Sequence, residues 1–321
     1  MTASAAGPSS LATRSPSRVD RLLGDLDVRA RRALPRPTYQ FLVRRHHDVR
    51  RVAGRNPGRG RLLPDFVILG AAKAGTTSLY AWLSEHPFVV PACKKEVHYF
   101  DYNHFRGEDW YRGHFPLASD RARFSAEQGR PFVTGEASPS YMSHYWVPER
   151  LAAALPDVKL LVTLRHPVDR AYSQFQMSRR EQEEPLTSFA EAVSVEENRL
   201  EPERARLKAN KGYNSWPIGC WSYLMRSRYA EHLERWFELF DRRRFHFVTL
   251  EQLADNPQQS MDAVHDFLGL PAHRYPDLAG IHIAPRYDSL PADTRAQLIE
   301  YFRPHNEQLY ELVGTDFGWD R

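Results

Sequence analysis

The chain has 321 residues, enough to bury a full hydrophobic core, and its 42 % apolar and 26 % charged content is that of a globular protein rather than a disordered or fibrous one. Its two cysteines, Cys93 and Cys220, form no C-x-x-C pattern, which excludes a disulfide-rich scaffold or zinc ribbon, and no apolar run nears the ~18 residues needed to span a bilayer. The net charge of +4 is uneven: thirteen arginines and four aspartates give residues 1–60 a charge of +9, leaving −5 for residues 61–321.

In chain order, residues 1–16 are small and polar with two prolines and are expected to be disordered. "RVDRLLGDLDVRARRAL" fits a short amphipathic helix, and "GRNPGRGRLLP" reads as a linker. Residues 1–60 are thus a basic, partly disordered extension and residues 61–321 one folded domain. The basic arm reads as a solvated extension, with no nucleic-acid partner expected, and nothing further in the sequence supports membrane contact through it. With no signal-peptide h-region, the expected location is cytoplasmic.

From Asp65 onward strands and helices alternate. "DFVILGAA" is a continuous apolar run, as suits a strand buried on both faces. "TTSLYAWLSEH" is a helix with Thr76 or Thr77 placed to cap it. "FVTGEASPSYM" begins as a strand and leaves through a turn, "PERLAAALP" is a short helix, and "KLLVTLRHP" is a second apolar strand. "VDRAYSQFQMSRREQ" follows as a helix with Pro167 near its start. "CWSYLMRSRYAEHLERWFELF" has helical spacing, "FHFVTLEQL" is a strand, and "NPQQSMDAVHDFLGL" and "PADTRAQLIEYFRPHNEQLYELVG" are helices, the last with Pro304 as a point of bending. This rhythm implies an α/β fold: one domain with a central parallel sheet flanked by helices.

Ligands of such a sheet sit beyond the carboxyl ends of its strands. In "FVILGAAKAGTTSLYAWL", Gly70 and Gly75 keep the spacing of the phosphate-binding loop G-x-x-x-x-G-K-[ST], yet two threonines follow Gly75 and the lysine lies inside the loop, at Lys73. Backbone N–H groups from Lys73, Ala74 and Gly75, the helix N-terminus and the hydroxyls of Thr76 and Thr77 together suit an anion. In "LVTLRHPVDRAYSQF", Arg165 ends a buried strand, where an unpaired charge is costly, and Ser173 lies two turns into the next helix. The two make a second phosphate clamp. Between the clamps, "CKKEVHYFD" places Glu96 and His98 two apart in an extended segment, on one side of the chain, as an acid/base pair.

These three segments resemble the sulfotransferases that use 3′-phosphoadenosine-5′-phosphosulfate, in the branch that holds the heparan sulfate sulfotransferases and bacterial relatives. The likeness runs from Asp65 to Trp319 and includes "SRYAEHLERWFELF", "FVTLEQLADNPQQSMDAVHDFLGL" and "LYELVGTDFGW". It implies that the first turn binds the 5′-phosphosulfate, with Lys73 on the oxygen bridging phosphate and sulfate. It implies that Arg165 and Ser173 bind the 3′-phosphate, that Glu96 is the catalytic base and that His98 accompanies it. The acceptor implied is a hydroxyl or amine of a carbohydrate, lipid or natural product, and no metal is expected. Sulfuryl transfer is an in-line displacement in which charge builds on the leaving oxygen, so a fixed ammonium there favours the transition state.

The chain departs from that pattern in two places. Ala137 in "GEASPSY" stands where glycosaminoglycan-modifying members usually carry lysine, and "APRYDSLP" replaces their cysteine-flanked cofactor loop, leaving Arg286 as the candidate third contact to the 3′-phosphate. Both departures count against a highly anionic polysaccharide acceptor. A nucleotide-dependent kinase is an alternative, but it would place lysine directly after Gly75 and need an acidic strand end to hold a metal. A non-catalytic anion or nucleic-acid binder working through the arginine-rich arm is another; it would lose function on deletion of residues 1–60 and not on Glu96→Ala.

Overall fold

The computed structural model describes residues 58–276, 278 and 289–319. Residues 1–57, and with them the expected amphipathic helix, lie outside the described residues.

Five strands form one sheet: β1 (Phe66–Gly70), β2 (Val89–Pro91), β3 (Val133–Ala137), β4 (Lys159–Leu164) and β5 (Phe245–Thr249). Their order is β2-β3-β1-β4-β5, and every neighbouring pair is parallel. The main helices are α1 (Thr76–Glu85), α2 (Val147–Ala154), α3 (Pro167–Arg180), α4 (Glu196–Ala209), α5 (Tyr229–Phe237), α6 (Leu250–Asp255), α7 (Pro257–Leu268) and α8 (Ala292–Val313).

The apolar runs form buried strands because alternate side chains feed two cores. Val67 and Leu69 of β1, with Leu160, Val162 and Leu164 of β4, pack on one face with Leu151 of α2 and Leu233 and Trp236 of α5. Phe66, Ile68 and Leu161 point the other way, onto Leu79 and Leu83 of α1 and Met261 and Val264 of α7. Each of these side chains is fully or almost fully buried, and each contributes roughly 1.5–3 kcal/mol by leaving water.

The strand order sets the position of the site. β1 runs on through α1 toward β2 on one side, whereas β4 leads away through α3 to β5 on the other. The chain therefore leaves two adjacent strands in opposite directions, which makes the carboxyl ends of β1 and β4 the place where a sheet of this kind holds its ligand.

Two expectations need correction. The segment "CWSYLMRSRYAEHLERWFELF" is not one helix: a short helix ends at Trp221, a 3₁₀ turn covers Met225–Ser227, and α5 begins at Tyr229. The break has a partner, because Arg170 Nη2 donates to the carbonyls of Ser222 and Tyr223 and its Nε donates to Ser227 Oγ. The helices Ala118–Gln128, Phe189–Ser194 and α4 were not foreseen; α4 in particular, "EENRLEPERARLKA", is charged nearly all round and buries little besides Leu200 and Leu207.

Candidate active site

The first turn, Ala71–Gly75, joins β1 to α1. Both glycines are required. Gly70 has φ 141° and a Cβ there would lie 2.5 Å from Pro139 O; Gly75 has φ 87° and its Cβ would lie 2.8 Å from Leu250 Cδ1. Gly75 is itself the N-cap of α1 and no side chain caps the helix. This corrects the expected threonine cap: Thr76 and Thr77 lie within the first turn, which carries no acidic residue. An uncapped, acid-free N-terminus suits an anion.

Lys73 also has a left-handed backbone, φ 73°, and the Ala74 amide, expected to face an anion, donates instead to Ala71 O at 3.2 Å. The carbonyls on the other side of this loop meet two arginines of the second turn. Arg165 Nη1 donates to Lys73 O at 3.3 Å, and Arg170 Nη1 to Ala72 O at 3.4 Å. Arg170 is fully buried, and among the described residues its hydrogen bonds end on carbonyls and a serine hydroxyl. Burial lowers its pKa to about 10.

The Lys73 ammonium lies 3.6 Å from Met177 Sδ on α3. Ser173, buried, is four residues before Met177 and so on the same helix face. Burial lowers the Lys73 pKa, and Arg180, Arg165 and Arg170 lower it further, against Glu181. This surplus of cation fits a ligand with several negative charges.

The turn that carries Glu96 and His98 adjoins the crevice through β3. Glu96 N donates to Ala137 O at 3.0 Å, and Ser138 N to Ile68 O at 3.3 Å. Glu96 and His98 come together, but not as alternating residues of an extended segment. Both are left-handed, with φ 61° and 54°, around the buried Val97. Glu96 Oε2 is 3.5 Å from His98 Nε2, and Lys95 Nζ donates to Glu96 Oε1 at 2.6 Å.

The other imidazole nitrogen faces a second carboxylate, that of Asp101. His98 Nδ1 is 2.8 Å from Asp101 Oδ2, and Ser140 Oγ also donates to Oδ2, at 2.5 Å. Burial disfavours charge on all three groups, yet their mutual attraction wins. His98 is raised to about 10, chiefly by Asp101 and then by Glu96. Asp101 is held below the ordinary carboxylate range by His98, and Glu96 is lowered to about 2 by His98 and Lys95. The histidine is therefore an imidazolium at neutral pH, clamped between two carboxylates.

Lys73, Ala74 and Gly75 thus share one loop that runs directly into Thr76 and Thr77 of α1, Arg165 touches the loop, Ser173 lies on the facing helix, and Glu96 pairs with His98. Arg286 lies outside the described residues. Asp101, Ser140 and Arg170 were missed. Each lies in a stretch already singled out: Asp101 ends "KKEVHYFD", Arg170 falls within "LVTLRHPVDRAYSQF" and Ser140 within "GEASPSY". No cluster of three or more His, Cys, Asp or Glu among the described residues is placed to hold a metal ion.

A family model for the sulfotransferase domain matches residues 63–280, and the chain belongs to the sulfotransferase family. It is an enzyme that moves a sulfuryl group from 3′-phosphoadenosine-5′-phosphosulfate. Heparan sulfate glucosamine 3-O-sulfotransferase 6 of Mus musculus is 30 % identical over 288 residues, covering 82 % of this chain and 75 % of the relative. The membrane-associated sulfotransferase kil1 of Dictyostelium discoideum is 25 % identical over 329 residues, with 82 % and 68 % covered. A sulfotransferase structure from Alicyclobacillus acidocaldarius superposes with a TM-score of 0.64 at 30 % identity, covering 81 % of this chain and all of that one.

Proposed function

We propose that the enzyme sulfates a hydroxyl group of a carbohydrate-like acceptor, with Glu96 as the base. The observation that carries this reading is the imidazole of His98 held between the Glu96 and Asp101 carboxylates, both of which favour its protonated form. A protonated imidazole has no lone pair for the acceptor's proton, and this leaves that role to Glu96. His98 orients Glu96, and Asp101 keeps His98 charged.

In this reading the Lys73–Thr77 loop holds the 5′-phosphosulfate, and Arg165 and Ser173 hold the 3′-phosphate. The acceptor oxygen attacks sulfur as the bond from sulfur to the bridging oxygen breaks. The electron pair stays on the phosphate, where Lys73 meets the new charge, and the acceptor's proton passes to Glu96. Because Glu96 is a weak base, this proton transfer is concerted with attack. The transferred group carries less negative charge than a phosphoryl group, so the reaction needs no metal ion.

A carbohydrate acceptor is supported by the 3-O-sulfotransferase relatives, which act on heparan sulfate glucosamine. Ala137, in place of the lysine usual in such enzymes, points to an acceptor with less negative charge. A panel of glucosamine oligosaccharides, neutral glycans, phenols and long-chain alcohols, screened with labelled donor, tests the acceptor class. Labelling confined to phenols would overturn it. The base is tested with Glu96→Gln, which should bind donor normally and lose on the order of 10²–10⁴-fold in transfer. The turnover over Michaelis constant of the wild type should show no acidic limb near pH 6.5. A limb there that disappears in His98→Ala would make the histidine the base.

A further inference from the structure

We propose that Glu136 is a positioning residue for sulfuryl transfer: its buried carboxylate fixes the two hydroxyls from which the Glu96–His98 turn is suspended. This rests on the reading of Glu96 as the base.

Glu136 lies near the carboxyl end of β3 and is fully buried. Its Oε1 accepts hydrogen bonds from Tyr111 Oη at 2.8 Å and Tyr141 Oη at 3.1 Å, and its Oε2 accepts from Ser138 Oγ at 2.7 Å. Two of these hydroxyls have a second task. Ser138 Oγ accepts from His98 N at 3.1 Å, and Tyr141 Oη accepts from Tyr99 N at 2.8 Å and Phe100 N at 3.3 Å. Three successive N–H groups of the turn therefore end on hydroxyl oxygens.

A hydroxyl has a single proton. Ser138 and Tyr141 each turn lone pairs toward the backbone, and each gives its proton to Glu136. The carboxylate thus sets the direction of both hydroxyls, and through them the placement of residues 98–100. That support matters because Glu96 and His98 hold left-handed backbones that side-chain-bearing residues rarely adopt and that persist only when their surroundings enforce them. Burial raises the pKa of Glu136 and the hydrogen bonds from Ser138, Tyr111 and Tyr141 oppose that rise, so packing alone would be served better by an apolar side chain. Glu136 itself makes none of the contacts with Glu96, Lys95 and Asp101 that define the reacting end of the turn.

The test uses the full chain with Glu136→Gln, which keeps the shape but replaces one acceptor oxygen with a donor. Three quantities are measured: transfer to the best acceptor of the panel, calorimetric affinity for adenosine 3′,5′-bisphosphate, and the pH titration of the His98 ring by NMR. The expected pattern is a loss in transfer on the order of 10²-fold, the scale for small displacements of catalytic groups, with unchanged bisphosphate affinity. The His98 ring, faced by Asp101 and Glu96 with Lys95 beside the latter, should titrate lower than in the wild type measured alongside. Tyr141→Phe and Ser138→Ala should show the same pattern, and they decide the matter if Glu136→Gln does not fold. Wild-type transfer with an unmoved His98 titration, in Glu136→Gln or in both of the others, overturns the proposal. Glu96→Gln run in parallel separates the two readings. Its normal transfer overturns the base assignment and this proposal with it; its loss of transfer beside an unaffected Glu136→Gln overturns this proposal alone.

Discussion

The guanidinium of Arg165 donates to the carbonyl of Lys73 at 3.3 Å, across 92 residues of sequence. Arg170 does the same for the adjacent Ala72 carbonyl. The two phosphate turns are therefore cross-braced: the carbonyl side of the first is held by side chains of the second. A substitution in either turn should be felt in both.

Arg165→Ala should weaken binding of adenosine 3′,5′-bisphosphate by roughly 1.5–3 kcal/mol, the range for hydrogen bonds to charged groups. Adenosine 5′-phosphate should lose less. Ser173→Ala should follow the same selectivity with a smaller effect. Calorimetry that gave the wild type equal affinity for the two nucleotides would rule out a 3′-phosphate site at Arg165.

Lys73→Ala should lower single-turnover transfer far more than donor affinity, because the charge that its ammonium meets grows only as the bridging bond breaks. Rapid-quench rates at saturating donor, set beside donor titrations, measure the two separately. Unchanged chemistry with merely weaker binding would make Lys73 a uniform binder and remove it from the transition state.

The clamped imidazole makes a stability prediction with a definite sign. His98 is raised from 6.5 to about 10, so the stability it contributes is complete below pH 6.5 and is lost as pH rises to about 10. Glu96 is lowered from 4.5 to about 2, so its contribution is complete above pH 4.5 and is lost as pH falls to about 2. Asp101→Asn removes the main cause of the histidine shift. The stability gap between wild type and Asp101→Asn should therefore narrow between pH 7 and 10 in denaturant titrations. A gap that stays constant over that window would show that His98 is not charged through Asp101.

Transfer should be unaffected by metal chelators. The argument is chemical: the sulfuryl group carries less charge than a phosphoryl group, and Lys73, Arg165 and Arg170 already surround the turn. Loss of transfer on chelation, restored by a divalent cation, would return the reading to metal-assisted nucleotide chemistry.

The parallel sheet and the two strand-to-helix turns after β1 and β4 were legible in the sequence because each is a local pattern. Apolar runs mark strands buried on two faces, and Gly70, Lys73 and Gly75 lie within six residues of one another. Glu96 and His98 were found for a partly mistaken reason. Strand alternation predicted that they share a side, whereas left-handed backbones at both residues bring them together. Asp101, Glu136, Ser138 and Tyr141 were not legible as a group. Glu136, Ser138 and Tyr141 share the stretch "GEASPSY", but what they hold lies 25 to 42 residues away, as in Tyr111 to Glu136, His98 to Ser138 and Tyr99 to Tyr141, and no local pattern links the two stretches. The threonine cap failed because Gly75, taken as a loop residue, is itself the N-cap.

The adjacency of β1 and β4 also bears on the order of assembly. A chain released amino end first carries its lysine loop for some ninety residues before Arg165 exists to brace it. Until the central strands pair, there is only half a donor site, and pairing of such distant segments is slow. Donor affinity should therefore appear late in refolding, with the last long-range contacts. Bound adenosine 3′,5′-bisphosphate should slow hydrogen exchange in the amides of β1 and β4 themselves, and not only in the surface turns, because it stabilises only the completed fold.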